Sequence, residues 1–210
     1  MKMAMVRQIT FDEAHPWILK KHYAKRIPNI QYAFGLYEGA ILVGVCAFGI
    51  PASPSLCRGV CGDEYKDKVL ELNRLCIDSP NKNSASILVS GSLKIIPSRK
   101  IIVSYADTSM GHVGYVYQAT NFIYTGLSAK RSDPKTYNNK HSRHNKDRLC
   151  DGAEKVDRPQ KHRYIYFIGS KKGKKMMQRD KLKYTAKPYP KGDTKRYEAE
   201  YQPETQMLLI

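Results

Sequence analysis

The stretch Lys100-Ile101-Ile102-Val103-Ser104-Tyr105-Ala106-Asp107-Thr108-Ser109-Met110-Gly111 decides how this chain folds. Its first seven residues are apolar and β-branched enough to read as a strand buried in a sheet. The polar residues behind them end the strand in a loop whose glycine permits a sharp turn. Ligands of α/β sheets bind off the carboxyl ends of strands, so this strand delivers Asp107, Thr108 and Ser109 to the place where chemistry is expected. An Asp that caps the following short helix, His112–Ala119, explains the same residue equally well.

Working outward, Met5–Thr10 alternates loosely and reads as a strand. Phe11-Asp12-Glu13 opens a helix with acids in its first turn, and Ala14, Trp17 and Ile18 follow at helical spacing, which puts His22-Tyr23 at the helix end. Gln31–Tyr37 and Ile41–Gly49 flank Glu38-Gly39-Ala40 and predict a β-hairpin. Pro51–Gly62, rich in proline and glycine, reads as a loop. Val69–Asp78 reads as a strand in which Val69, Glu71 and Asn73 alternate with Leu70, Leu72 and Arg74. Asn83–Ile96 is helical and stops at Pro97. Asn121–Ser128 and His162–Ile168 are two more strands, separated by the polar, basic stretch Ala129–Lys161. No internal repeat is present, and the order predicts an α/β fold with a mixed central sheet.

The 210 residues weigh 24.0 kDa, with 41% hydrophobic and 26% charged residues, which suits one soluble core with extensions and excludes collagen, coiled coil and wholesale disorder. We expect a domain over 1–170 with a basic insertion at about 129–161, then a basic extension, 171–210, with an acidic and apolar tail. No apolar run is long enough to span a membrane and no signal peptide precedes Asp12, so a cytoplasmic protein is expected. The five cysteines are expected as reduced thiols.

The net charge is +17, and residues 129–196 hold 22 Lys and Arg against 7 Asp and Glu. Such an excess calls for a polyanion, either nucleic acid or an anionic membrane surface. Arg131, Lys135, Lys140, Arg143, Lys146 and Arg163 alternate with tyrosines, a mixture that neutralises phosphates and stacks on bases. A solubilising basic surface is the plainer alternative.

Several side chains carry chemistry. Arg74 in an apolar strand needs a partner: a pair with Asp107 or an anion clamp both answer that need. His22 beside the Tyr23 phenol offers a general base or a metal-binding imidazole, or simply a helix-end dipole partner. Ser84 and Ser86 present hydroxyls at a helix start, to a phosphate or as ordinary caps. Tyr115 and Tyr117 flank the helix beside Asp107, so at least one can face the cleft. Cys57-x3-Cys61 lacks a second ligand pair for zinc, as does His141-x-x-His144 with Cys150. The Gln/Arg-x-x-Gly-x-Gly motif that grips coenzyme A is missing near Asn83–Ser86, so the sequence does not indicate acetyl-CoA as a donor.

Three blocks together resemble a known family: Lys21-His22-Tyr23-Ala24-Lys25-Arg26-Ile27-Pro28, Glu71-Leu72-Asn73-Arg74-Leu75, and Ser104 to Ser109 continued by Gly111-His112-Val113-Gly114-Tyr115-Val116-Tyr117-Gln118 through Tyr124-Thr125-Gly126. Their order and spacing are similar to the Mom family of bacteriophage DNA-modification proteins over roughly residues 5–170. The resemblance implies a largely antiparallel sheet with flanking helices, like the GCN5-related N-acetyltransferases. It also implies conversion of the N6 amine of adenine in DNA to a carbamoylmethyl derivative, which protects phage DNA from restriction. By that resemblance His22, Tyr23, Arg74 and Asp107 would be the functional set with Tyr115 or Tyr117 in support; by their own placement in the sequence Trp17, Ser84, Ser86, Ser104 and Thr108 are expected to line the substrate. His22, Tyr23 and Asp107 include donors suited to iron or another divalent metal. Double-stranded DNA and a small-molecule group donor would be the partners, and a homodimer is allowed. Adenine would be flipped out onto Tyr23, Tyr115, Tyr117 or Trp17. The alternatives are an acyl-CoA-dependent N-acetyltransferase acting on a protein or small molecule, and a non-enzymatic DNA-binding protein.

Overall fold

The computed structural model describes residues 4–97, 99–134, 155–176 and 181–193. Strand β1 (Ala4–Ile9) leads into helix α1 (Phe11–Lys21), whose start is fixed by a capping box: Glu13 N–H donates to Thr10 Oγ1 and Thr10 N–H donates to Glu13 Oε2. The hairpin β2 (Tyr32–Glu38) and β3 (Ile41–Gly49) follows as expected. Pro51–Gly62 is not a loop, because Pro54–Cys61 forms helix α2. Its prolines and glycine punctuate rather than break it: Ser53 accepts from Leu56 N–H, Pro54 opens the first turn, and Gly62 at φ 100 closes the last.

After a 3-10 stretch, Asp63–Lys68, come β4 (Val69–Ile77), α3 (Ser84–Ile95), β5 (Ile101–Asp107), a 3-10 turn Thr108–Met110 and the short α4 (Tyr115–Ala119). The order continues with β6 (Ile123–Leu127), the paired β7 (Arg131–Pro134) and β8 (Lys155–Arg158) inside the basic insertion, β9 (Lys161–Phe167) and α5 (Lys171–Met176).

The main sheet runs β1-β2-β3-β4-β5-β9-β6 and is antiparallel except for β4 beside β5, the mixed, largely antiparallel arrangement expected. On one face α3 and the α4 region cover Phe34, Leu36, Phe48, Leu70, Leu72, Ile102, Phe122 and Tyr164. On the other, α1 covers Val45 and Ala47, and α2 covers Val69, Val103 and Ile165. The four cysteines among the described residues are buried thiols. None of the described helices is long and apolar enough to cross a membrane.

Two irregularities shape the site. Phe48 pairs with Leu72 but Ala47 with Arg74, so Asn73 is an extra residue, a β-bulge. Leu70 and Leu72 before it and Leu75 and Ile77 after it therefore all face α3. Arg74 does not continue the Leu70, Leu72 face as simple alternation predicts; it shares the side of Ala47, under α1. The second irregularity is a split. β4 and β5 pair only from Val69–Ile101 to Leu72–Ser104, and the Ser104 hydroxyl donates to the Leu72 carbonyl at 3.0 Å where they part. Beyond that point Arg74 and Asp107 sit on diverging strands, the crevice where α/β sheets bind ligands.

Residues 181–193 return across the domain. Lys183 N–H donates to the Val60 carbonyl, Lys187 N–H to Tyr124 and the Tyr189 hydroxyl to Phe122.

Candidate active site

His22 caps the C-terminus of α1 in extended backbone, and the chain then folds back over its ring. Ala24 N–H donates to Nδ1 at 3.0 Å, and Lys25 N–H donates to the His22 carbonyl at 2.9 Å in a turn closed by Lys25 at φ 40. A neutral imidazole that accepts at one nitrogen carries its hydrogen on the other. Burial, followed by the charge of Arg74, pushes the ring's pKa down to about 3. His22 is thus a fixed Nε2–H donor at neutral pH. The nitrogen with the free lone pair faces its own main chain, so in this arrangement His22 presents a donor rather than the general base expected of it.

The His22 ring stacks on Tyr23 with centroids 4.3 Å apart, and Tyr23 meets His112 edge-on at 6.3 Å. Burial, reinforced by the nearby Asp107 charge, holds the Tyr23 phenol far above its usual range, so it is a neutral hydroxyl.

The Arg74–Asp107 pair does not form. Arg74 Nε and Nη2 donate to the Arg26 carbonyl at 3.2 and 3.0 Å, and Nη1 donates to its neighbour Asn73's carbonyl at 2.6 Å. Among the described residues no carboxylate lies within ion-pair distance of it. Asp107 pairs instead with Lys161, its register partner on β9, with Oδ2 2.6 Å from Nζ. Oδ1 accepts from the Ser109 hydroxyl at 2.7 Å and the Ser109 N–H at 3.1 Å. Burial would raise the carboxyl's pKa, but Lys161 and Ser109 outweigh it and hold the group below its ordinary value. Asp107 caps the 3-10 turn at Thr108 rather than the expected helix His112–Ala119, which begins at Tyr115 with Gly114 before it.

Of the two tyrosines, Tyr117 is buried against Phe122 and Tyr164, with its hydroxyl at Ser104 beneath the split; burial pushes it up to about 12. Tyr115 lies outside, donating to the Gly192 carbonyl. Thr108 is tied to the Gln160 carbonyl at 2.5 Å. The expected metal set is not assembled. Both Asp107 oxygens and His22 Nδ1 are taken by protein donors, and no group of three or more His, Cys, Asp or Glu placed to hold a metal occurs among the described residues. A cavity of about 310 Å³ lies at the other end of β4, lined by Cys57, Asp67, Val69 and Leu70, and shares no residue with this cleft.

The family model described as the Mom protein family matches residues 3–191. The chain belongs to the Mom family. It is 36% identical over 131 residues to "Methylcarbamoylase mom" of Escherichia phage Mu, covering 60% of this chain and 54% of that one. The chain thus spans about half the length of the curated relative it matches. Solved structures with similarity include a GNAT-family acetyltransferase from Bacillus cereus ATCC 10987 (15% identical, TM-score 0.45, covering 80% of this chain and 99% of that one). A putative phosphinothricin N-acetyltransferase is another (12% identical, TM-score 0.48, covering 80% and 100%).

In this Mom-family chain the remaining expected residues divide. Ser84 is buried with its hydroxyl on Ser79, and Ser86 bonds back to the Asn83 carbonyl, so both hydroxyls serve the start of α3 rather than an open phosphate site. Ser104 is likewise committed to Leu72. Trp17 packs with the apolar group under α1 and lies beneath Lys21. Arg163 is held by Thr125 and stacked on Tyr184 at 3.5 Å, an internal brace rather than a free phosphate contact. Arg131 is exposed on β7. Lys135, Lys140, Arg143 and Lys146 lie outside the described residues, as do His141, His144 and Cys150. The residues missed from the sequence are Arg26, His112 and Lys161. His112 was visible as the neighbour of Gly111 in the deciding stretch, whereas Lys161 is recognisable only through β-sheet register.

Proposed function

We propose that this chain is a DNA-modifying transferase that converts the N6 amine of adenine to its carbamoylmethyl derivative and so shields phage DNA from restriction. The observation that carries this reading is the convergence of His22, Tyr23, Arg74 and Asp107, from three separate family blocks, on the split between β4 and β5. The N6 amine lies inside a base pair, so the nucleotide must leave the stack, and the stacked Tyr23 with its neighbour His112 offers aromatic surface for it. Asp107, kept ionised by Lys161, accepts three hydrogen bonds within the protein, and its remaining lone-pair site takes one from the amine and turns the amine's lone pair toward the donor. The basic stretch 129–196 follows the DNA backbone.

The test is mass spectrometry of nucleosides from the DNA of cells expressing the chain or its Asp107→Ala variant. An adenosine carrying one added CH2–CONH2 group, present with the parent and gone with the variant, is the expected result. Unmodified DNA beside soluble, folded protein that binds coenzyme A would replace this reading with an acyl-CoA-dependent transferase.

A further inference from the structure

We infer that His22 and Arg74 together form a two-sided seat for an oxygen that carries negative charge, and that the group donor enters the cleft through such an oxygen, a carboxylate or the oxyanion of a reacting carbonyl. The inference rests on the transferase reading above but concerns the donor rather than the DNA. Its first support is the His22 ring. With Nδ1 fixed on Ala24 N–H, the hydrogen is confined to Nε2. Nε2 has no protein partner among the described residues, yet it is absent from the sealed, unpaired polar atoms, which among those residues comprise Asn73 Oδ1 alone. A residue only 6% exposed therefore keeps its one donor turned to the open cleft.

The second support is Arg74. Three of its five N–H groups are spent on main-chain carbonyls, which locks the guanidinium in place and leaves one N–H on each terminal nitrogen. Carbonyl bonds orient the group but do not neutralise it. Asp107, the carboxylate that could have done so, is already balanced by Lys161. The cleft consequently holds an uncompensated positive charge beside a neutral N–H donor. The loop 22–26 joins the two halves: its N–H of Ala24 sets the imidazole, and its carbonyl at Arg26 sets the guanidinium. A fixed cation and a fixed donor in a partly desolvated crevice stabilise negative oxygen without reorganising. They give a neutral adenine ring much less.

The experiment uses the full chain labelled with 15N and needs no DNA. Long-range 1H–15N spectra report the imidazole tautomer between pH 6 and 8, and the ring and arginine signals are then followed through titrations with sodium acetate, sodium chloride and acetamide. We expect His22 as the Nε2–H form, with acetate shifting its signals and those of Arg74 where chloride and acetamide do not. Arg74→Gln should weaken acetate by about ten- to a hundredfold, the effect of losing a bond to a charged group. An Nδ1–H tautomer overturns the seat, and that measurement needs no variant to fold. Acetamide or chloride acting as strongly as acetate overturns its preference for charged oxygen. A seat confirmed in a protein that leaves DNA unmodified would reject the substrate reading alone, so the two failures are separable.

Discussion

His22 makes the fold sensitive to acid. Its pKa falls from an ordinary value near 6.5 to about 3 in the folded chain, so the unfolded state takes up a proton first. The stability it contributes is complete above pH 6.5 and drains away as pH falls through the window toward 3. Between pH 7 and 5 the loss is about 2 kcal/mol from this ring. Asp107, His112 and His162, also lowered, act with the same sign. Urea denaturation at the two pH values checks this, and His22→Phe should flatten the difference. Lys161→Met should leave Asp107 without its ion partner, raise its pKa and cost roughly 1–2 kcal/mol, less than a fully buried pair because the Lys161 side chain is 43% exposed. The pH dependence of unfolding would show the shifted carboxyl. Much of this site was legible at the residue scale: His22, Tyr23 and Asp107 stand at the ends of periodic segments, where the pattern breaks. Their protonation was not, since the tautomer of His22 and the partner of Asp107 depend on Ala24 N–H and Lys161, contacts that no linear spacing announces.

Among the elements, β4 and β5 are the pair to test. Removing the hydroxyl in Ser104→Ala takes away the last bond before the strands part, and also a partner of the buried Tyr117. We expect a loss of about 1–2 kcal/mol in urea denaturation and faster hydrogen exchange at Arg74 and Leu75. Gly114 at φ 82 has the Tyr164 ring where a Cβ would go, 2.5 Å away. Gly114→Ala should therefore cost about 2–4 kcal/mol from backbone strain and overpacking together, read as a lowered Tm. The seven strands of the main sheet and helices α1 and α3 follow from period and β-branching to within a few residues, whereas the pair β7 and β8 inside the polar insertion does not. Helix α2 is hidden from that reading, because its Pro and Gly look like breakers and are its two ends. The Asn73 bulge escaped as well, since one extra residue leaves the composition of VLELNRLCI unchanged while reversing the face of everything after it.

For the molecule as a whole, charge is the dominant quantity. An excess of 22 Lys and Arg over 7 Asp and Glu in residues 129–196 should make duplex binding fall steeply with salt, by close to one unit of log–log slope per phosphate neutralised. Fluorescence anisotropy across a salt series measures it, and a flat response removes the backbone-tracking role of this region. Composition had exposed this imbalance at once, while its use was less plain: Arg163, chosen as a DNA contact, is spent inside on Thr125 and Tyr184. The return of residues 181–193 across α2 and β6 was likewise hidden, because the bonds from Lys183 to Val60 and from Lys187 to Tyr124 are made by main chain and leave no mark in side-chain pattern.

The bulge at Asn73 works as a reading frame. Leu70 and Leu72 before it and Leu75 and Ile77 after it share the core face, and Arg74 takes the crevice face, because the strand carries one residue more than a regular ladder uses. A regular ladder over the same nine residues would turn the arginine inward and a leucine toward the histidine, whereas losing residue 73 together with the bulge would keep both on their present faces. Inheritance at that point should keep the bulge and its extra residue together or lose both.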